Sequence, residues 1–168
     1  EEKSFSDQHR YYLANLYTKI HKYDDSTKLV MNILEKDPKN AHAWNFLGYS
    51  LLERDEDLNK AYEYIQKAIA LAPNDGYIRD SLGWYYYKTG QFDLALKELN
   101  VAFKHAPGDV EILKHLAMVH KELKNFNQAR TFIDQALGQA KFEDERQKIL
   151  AVKERIETDR LPASGSDN

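Results

Sequence analysis

The chain contains no cysteine, which excludes disulfides, thiolate nucleophiles and thiolate metal sites. It also fits an extracytoplasmic compartment, although a chain of this size often lacks cysteine for no such reason. Proline is scarce: three of the four lie at Pro38, Pro73 and Pro107, each just beyond an amphipathic stretch, and the fourth, Pro162, lies near the end. The stretches between them are thus free of helix breakers. No apolar run is long enough to cross a bilayer, so direct membrane insertion is not expected. Glu1-Glu2-Lys3-Ser4 does not form a secretion signal, and a leader or anchor upstream is left open. A net positive charge is also lacking, the formal net charge being -3. No general field attracts phosphate backbones, so nucleic acid is not an expected partner.

Histidine and acidic groups are present but do not converge. The six histidines are His9, His21, His42, His105, His115 and His120, and no pair has the i, i+4 spacing of a helical metal site. The run Glu53 to Asp57 lacks the glycine and spacing of a calcium loop and reads as a solvated turn. No set of acid, base and nucleophile stands out, so neither an enzyme activity nor a cofactor or metal is expected.

What is present is repetition. Leu82-Gly83-x-x-Tyr86 is followed by Gly90, Phe92, Ala95-x-x-x-Leu99-x-x-Ala102 and Pro107. Upstream, Trp44-x-x-Leu47-Gly48-x-x-Leu51 leads to Leu58, Ala61-x-x-x-Ile65-x-x-Ala68 and Pro73. Downstream, Leu113-x-x-Leu116-Ala117-x-x-His120 leads to Phe126 and Ala129-x-x-x-Ile133-x-x-Ala136. A weaker copy opens the chain with Leu13-Ala14-x-x-Tyr17, Tyr23, Ser26-x-x-x-Val30-x-x-Ile33 and Pro38. The apolar positions recur at helical spacing, two helices per copy. Small residues such as Gly83 and Ala102 let two helix backbones approach closely. The separation from Leu13 to Ser26 equals those from Leu82 to Ala95 and from Leu116 to Ala129; Leu47 to Ala61 is one residue longer, an extra residue that the turn at 53–57 absorbs.

These lines resemble the tetratricopeptide repeat (TPR), a helix pair of about 34 residues with the pattern W-x₂-L-G-x₂-Y…A-x₃-F…P. The resemblance covers Gln8 to about Lys141. It implies an all-α, right-handed superhelical solenoid of about four helix pairs, with units at about 7–40, 41–75, 76–109 and 110–143 in a single domain over 1–160. The spacing predicts the first two helices over 8–20 and 25–36, with Ser6 or Asp7 capping the first. Residues 144–160 carry Ile149, Val152 and Ile156 on one stripe and read as a capping helix. Residues 161–168 have the composition of a disordered tail. His21-Lys22 and Lys124-Asn125 stand where the third copy has Gly90-Gln91, and at least one of these turns is expected to take a different shape, because a left-handed lysine is costly.

The resemblance implies a non-catalytic protein-protein interaction module or scaffold, with a peptide or helical segment of a partner lying in a concave groove lined by the first helices. The side chains left over from packing on that face are Tyr11, Asn15 and Thr18, then Asn45, Tyr49 and Leu52, then Tyr77, Asp80, Trp84 and Tyr87, then Glu111, Lys114, Met118 and Lys121. Flat rings among amides and isolated charges suit peptide recognition, and Lys114 and Lys121 suit an acidic segment. For Trp84, partner contact and internal packing are both open, whereas Trp44 and His120 are assigned to packing. A subclass of TPR proteins that grips chaperone tails uses Lys, Asn and Arg here. The matching Tyr11, Asn15, Phe46, Tyr77 and Ser81 agree only at Asn15, and starting one unit later (Asn45, Tyr49, Ser81, Glu111, His115) is no better, so that reading is rejected.

Asn45-Phe46-Leu47-Gly48-Tyr49 and Asp80-Ser81-Leu82-Gly83-Trp84 are similar to the C-terminal repeats of long proteobacterial TPR proteins, some of them periplasmic lipoprotein adaptors. That likeness allows a periplasmic or membrane-anchored location through a missing N-terminal segment, with the cytoplasm as the alternative. No cap like that at 144–160 is expected before the first helix, whose Tyr- and Arg-containing surface is either polar enough to stand alone or covered by more repeats, a second copy or a bound partner. The alternative function is therefore a structural assembly unit that forms a homo-oligomer, or stacks on further repeats, through its uncapped N-terminal helix.

Overall fold

A computed structural model describes residues 6–160. The tail expected at 161–168 lies outside the described residues. Among those described there are nine helices and no strand: α1 (Asp7–Lys19), α2 (Tyr23–Lys36), α3 (Ala41–Glu53), α4 (Leu58–Leu71), α5 (Gly76–Lys88), α6 (Phe92–His105), α7 (Val110–Glu122), α8 (Phe126–Gln139) and α9 (Glu143–Arg160). The helices gather into two compact units, one ending at Pro73 and one beginning at Asn74.

The first helix of each pair starts at a side chain that accepts from its free amides. Ser6 Oγ accepts from His9 N, Asn40 Oδ1 from Ala43 N, and Asp75 and Asp109 each accept from two backbone N–H groups. Such caps are worth about 1 kcal/mol each.

In the first unit α1 pairs with α2, α3 with α4, and α2 lies against α3. Its core is Ala14, Val30, Ile33, Leu34, Ala43 and Leu47, with Tyr11, Trp44, Phe46 and Tyr64 around it. Ser26 takes the place that Ala61, Ala95 and Ala129 hold elsewhere. It is buried, and its hydroxyl donates to the Ala14 carbonyl at 2.9 Å, which removes the penalty of an unpaired polar group.

In the second unit α5 pairs with α6 and α7 with α8, α6 lies on α7, and α9 packs on α8 and α7. Ile149 and Ile156 of α9 bury themselves with Ala129, Ile133 and Ala136. Each such aliphatic side chain contributes roughly 1.5–3 kcal/mol. The Lys153 ammonium reaches Asp134 of α8 at 2.6 Å and ties the edge of this contact.

Two pairs cross where a glycine faces the partner helix. A Cβ on Gly83 would stand 2.7 Å from Leu99 Cγ, and one on Gly48 would stand 2.7 Å from Ile65 Cγ1 and 3.0 Å from the Ala61 carbonyl oxygen. The backbones are therefore closer than any side chain permits.

The turns inside the pairs correct the expectation of different shapes. His21, Gly90 and Lys124 have φ of 60°, 73° and 61°. The residues after them, Lys22, Gln91 and Asn125, each donate N–H to the carbonyl of Tyr17, Tyr86 and His120 at 2.8 Å. All three are the same left-handed helix end with a six-to-one hydrogen bond. The turn after α3 begins the same way, with Asp55 left-handed and the Glu56 N–H donating to the Leu51 carbonyl at 3.0 Å, and then adds a second left-handed residue, Asp57, where the extra residue is absorbed.

A left-handed lysine costs about 1–2 kcal/mol, while glycine adds about 0.5–1 kcal/mol of unfolded-chain entropy. Lys124→Gly should therefore stabilise the chain by roughly 0.5–1 kcal/mol in urea unfolding, from the same difference. A loss of stability would show that Lys124 is not strained.

Candidate functional site

The first helices carry the residues singled out from the sequence, and each unit presents its own face. In the first unit, Tyr11 is half-buried. Its hydroxyl donates to Asn40 Oδ1 at 2.9 Å and its ring lies 6.3 Å from that of Phe46. Burial, then the charges of Asp7 and Asp37, push its phenol up to about 12. Tyr11 is thus held by the residue that caps α3. Asn15 is exposed and donates to the Tyr11 carbonyl oxygen at 3.0 Å. Asn45 and Tyr49 are half-buried on α3. The Asn45 Oδ1 atom is buried and accepts no hydrogen bond, so this end of the side chain faces the packing and not a ligand. Leu52, expected on the same face, is instead fully buried and belongs to packing.

In the second unit, Tyr77 is 55% exposed, at the start of α5. The expectation for Asp80 is corrected here, and the choice left open for Trp84 falls to packing. Asp80 and Trp84 do not lie open on this face; they are 5% and 7% exposed. The Trp84 indole is stacked between the Tyr87 ring, at 4.7 Å and 6° between planes, and the His115 imidazole, at 4.1 Å and 11°. His115, from α7, is fully buried, and its Nδ1 is 2.8 Å from Asp80 Oδ1. The reason for both burials is one contact. His115 falls where α7 meets α5, so the imidazole must find a partner there, and Asp80 supplies it. The Nε2 atom of His115 forms no hydrogen bond and lies 3.5 Å from Glu111 Oε1.

Around this stack the rim is polar. Tyr87 is half-buried, and burial followed by the Glu122 carboxylate holds its phenol above the ordinary tyrosine value. Lys88 Nζ stands 5.4 Å from the Trp84 ring. Lys114 pairs with Glu111, and Met118 is half-buried between Lys114 and Lys121 on α7.

Lys121 is engaged from within the chain: its ammonium reaches Asp159 of α9 at 2.8 Å and Glu122 at 3.1 Å. The Asp159 hydrogen bond raises its pKa above the lysine value, and the same bond lowers that of the Asp159 carboxyl. Neither lysine on this face is therefore a spare cation waiting for an acidic segment. His120 packs as expected, stacked on Phe132 at 5.4 Å, with burial lowering its pKa.

Two features escaped the sequence reading. The His115 to Asp80 pair was signalled only by a titratable residue at a register position held by Tyr12, Phe46 and Ser81 in the other copies. The reach of Asp159 back to α7 left no signal at all, since α9 follows no repeat pattern.

Among the described residues no group of three or more His, Asp or Glu side chains is placed to hold a metal ion. Nor is any described helix long and apolar enough to cross a membrane.

Two family models described as tetratricopeptide repeat match the chain, over residues 11–76 and 86–152. A TPR repeat-containing protein of Pseudomonas aeruginosa is 39% identical over 84 residues, which is 50% of this chain and 14% of that protein's length. Among solved structures, TTC0263, a thermophilic TPR protein of Thermus thermophilus, matches with a TM-score of 0.74 at 21% identity, covering 90% of this chain and 84% of the other. The Pseudomonas aeruginosa pilF protein matches with a TM-score of 0.68 at 20% identity, covering 92% and 71%. At these identities the structures share the all-α helical-repeat fold with this chain.

Tyr11 yields a test. Its folded pKa, about 12, lies above the unfolded value of ~10. The stability it contributes is complete below pH ~10 and is lost as pH rises through 12, because the unfolded chain releases that proton first. Wild type should lose stability across this window more steeply than Tyr11→Phe in urea unfolding at stepped pH. Equal slopes would mean that the phenol is not held by its surroundings.

Proposed function

This chain belongs to the tetratricopeptide-repeat family, and we propose that it is a non-catalytic binding module whose first-helix faces take an extended or helical segment of a partner protein. Tetratricopeptide repeats generally mediate contacts between proteins. The observation that carries the finer reading is the set of side chains that stay at least partly exposed on those faces. In the second unit Tyr77, Tyr87, Lys114 and Met118 remain at least partly exposed around the Trp84 stack. In the first, Asn15, Asn45 and Tyr49 do so.

Trp84 and Asp80 act in this reading as positioning residues. The indole fixes the plane of Tyr87, and the carboxylate fixes His115 against the indole, so the outer ring is held before a ligand arrives. A preset ring saves ordering entropy on binding. Tyr77 and Tyr49 supply contact area with few rotatable bonds. Lys114 with Glu111 forms a polar edge that orients a ligand more than it attracts one, because its charge is already matched.

A second reading, of an assembly unit working through α1, is favoured by one observation: Tyr12, Leu16 and Ile20 are exposed on a single stripe of that helix.

The test of the first reading uses random 12-residue peptides displayed on phage, selected on the whole chain and then synthesised for titration. Tyr77→Ala and Tyr49→Ala, with helicity intact, should each weaken their selected peptides about tenfold or more, equivalent to about 1.4 kcal/mol. Unchanged affinity in both variants would remove the first-helix faces as the binding surface.

A further inference from the structure

We propose that the end of α9 is an internal competitor for the binding face of the second unit. The Asp159 carboxylate sits on Lys121 in the place of an acidic side chain of a partner, and the last turn of α9 opens when the partner takes that lysine. The inference rests on the reading of this face as a binding surface and names what its α9 edge takes.

Behind it stands a polar chain that runs over three helices. The Tyr87 hydroxyl of α5 donates to Glu122 Oε1 of α7 at 3.5 Å, and the Lys121 ammonium lies 3.1 Å from the same oxygen. The other partner of Lys121 is Asp159 Oδ2 of α9, at 2.8 Å. Leu116 aligns with Leu82 in the repeat register, so Lys121 stands on α7 where Tyr87 stands on α5. The chain thus begins at an aromatic ring of the proposed face and ends on a helix outside the repeats.

The charges around Lys121 favour an anion where Asp159 sits. Arg155 lies near enough to act on Tyr87, and Lys124 near enough to act on Asp159. With Lys121 they set three cations against the Glu122 and Asp159 carboxylates. Taking Asp159 away widens that excess, and a carboxylate from outside restores the balance.

Asp159 is the member of the chain that can leave. Its side chain is 44% exposed and that of Lys121 18%, so water reaches the acid more readily than the base, and such a pair is weakly held. It also lies with Glu157 in the last turn of α9, at the negative end of that helix's dipole. The apolar anchors Ile149 and Ile156 both precede that turn, so it can open while they stay buried. Lys121 is held by Glu122 as well and remains in place for the ligand.

The probes are hexaglutamate and hexaglutamine, each blocked at both ends and titrated into the whole chain at low salt, with the NMR shifts of α7 and α9 as readout. Wild type should bind hexaglutamate and not hexaglutamine. Asp159→Asn should bind it about threefold more tightly or better, the scale of one weak exposed pair. Glu157→Gln removes the same charge from the same turn, but one paired with Arg130 and Arg160, and should gain clearly less. In a Lys121→Gln background the gain from Asp159→Asn should vanish, with helicity unchanged throughout. In the bound wild type, amide exchange should quicken at 157–160 and not at Ile149. Failure of hexaglutamate to bind, equal gains from Asp159→Asn and Glu157→Gln, or a gain that survives Lys121→Gln would each overturn the proposal. Selected peptides that still depend on Tyr77 or Tyr49 would then leave the binding reading standing, and loss of that dependence overturns both. Tighter binding without faster exchange at 157–160 keeps the competition and overturns the opening of the turn.

Discussion

The close approach of two helix backbones inside each pair is the constraint on which the other features depend. Gly48 and Gly83 leave no room for a methyl group against Ile65 and Leu99, and a Cβ forced into such a space costs about 1–3 kcal/mol. With the backbones this close, Leu47 and Leu82 sink to 4% exposure and the first helices turn a fixed edge away from their partners. Which residues then remain for a ligand is a consequence of that crossing. In the other two pairs the same place is held by Ala14 and Ala117, both fully buried, so there the crossing accommodates a methyl.

The second unit adds a layer of its own. The aromatic stack of Tyr87, Trp84 and His115 links α5 to α7, and Asp80 closes it from α5. Burying an imidazole and a carboxylate together is tolerable because they satisfy each other, and removing either would leave the other stranded. The α9 helix does more than cover α8. Its Asp159 holds Lys121, and its Arg155 lies close enough to lower the pKa of Tyr87, against the larger effects of burial and Glu122. The edge of the first-helix face is therefore furnished partly by a helix outside the repeats.

The repeat itself was legible because packing repeats: Leu47, Leu82 and Leu116, with Gly48, Gly83 and Ala117 beside them, fall in one register and can be aligned by eye. Trp84 was harder, since spacing places it on the outward arc of α5, and only the position of His115 in the next pair decides that the indole is covered. Lys121 looked free because its partner lies on α9, where no pattern predicts a contact. The turn at Lys124 was misread for a different reason. Intrinsic preference argued against a left-handed lysine, yet the six-to-one hydrogen bond and the packing on either side impose the same turn that Gly90 takes freely. Tertiary structure outweighed a local cost of about 1–2 kcal/mol.

The account stands or falls on where a ligand rests. The most direct measurement is an amide and methyl chemical-shift map of the whole chain titrated with a bound peptide. The account predicts that shifts gather on Tyr77, Tyr87, Lys114 and Met118, or on Asn15, Asn45 and Tyr49, with the outer faces of α4, α6 and α8 silent. Shifts confined to those second helices would contradict it.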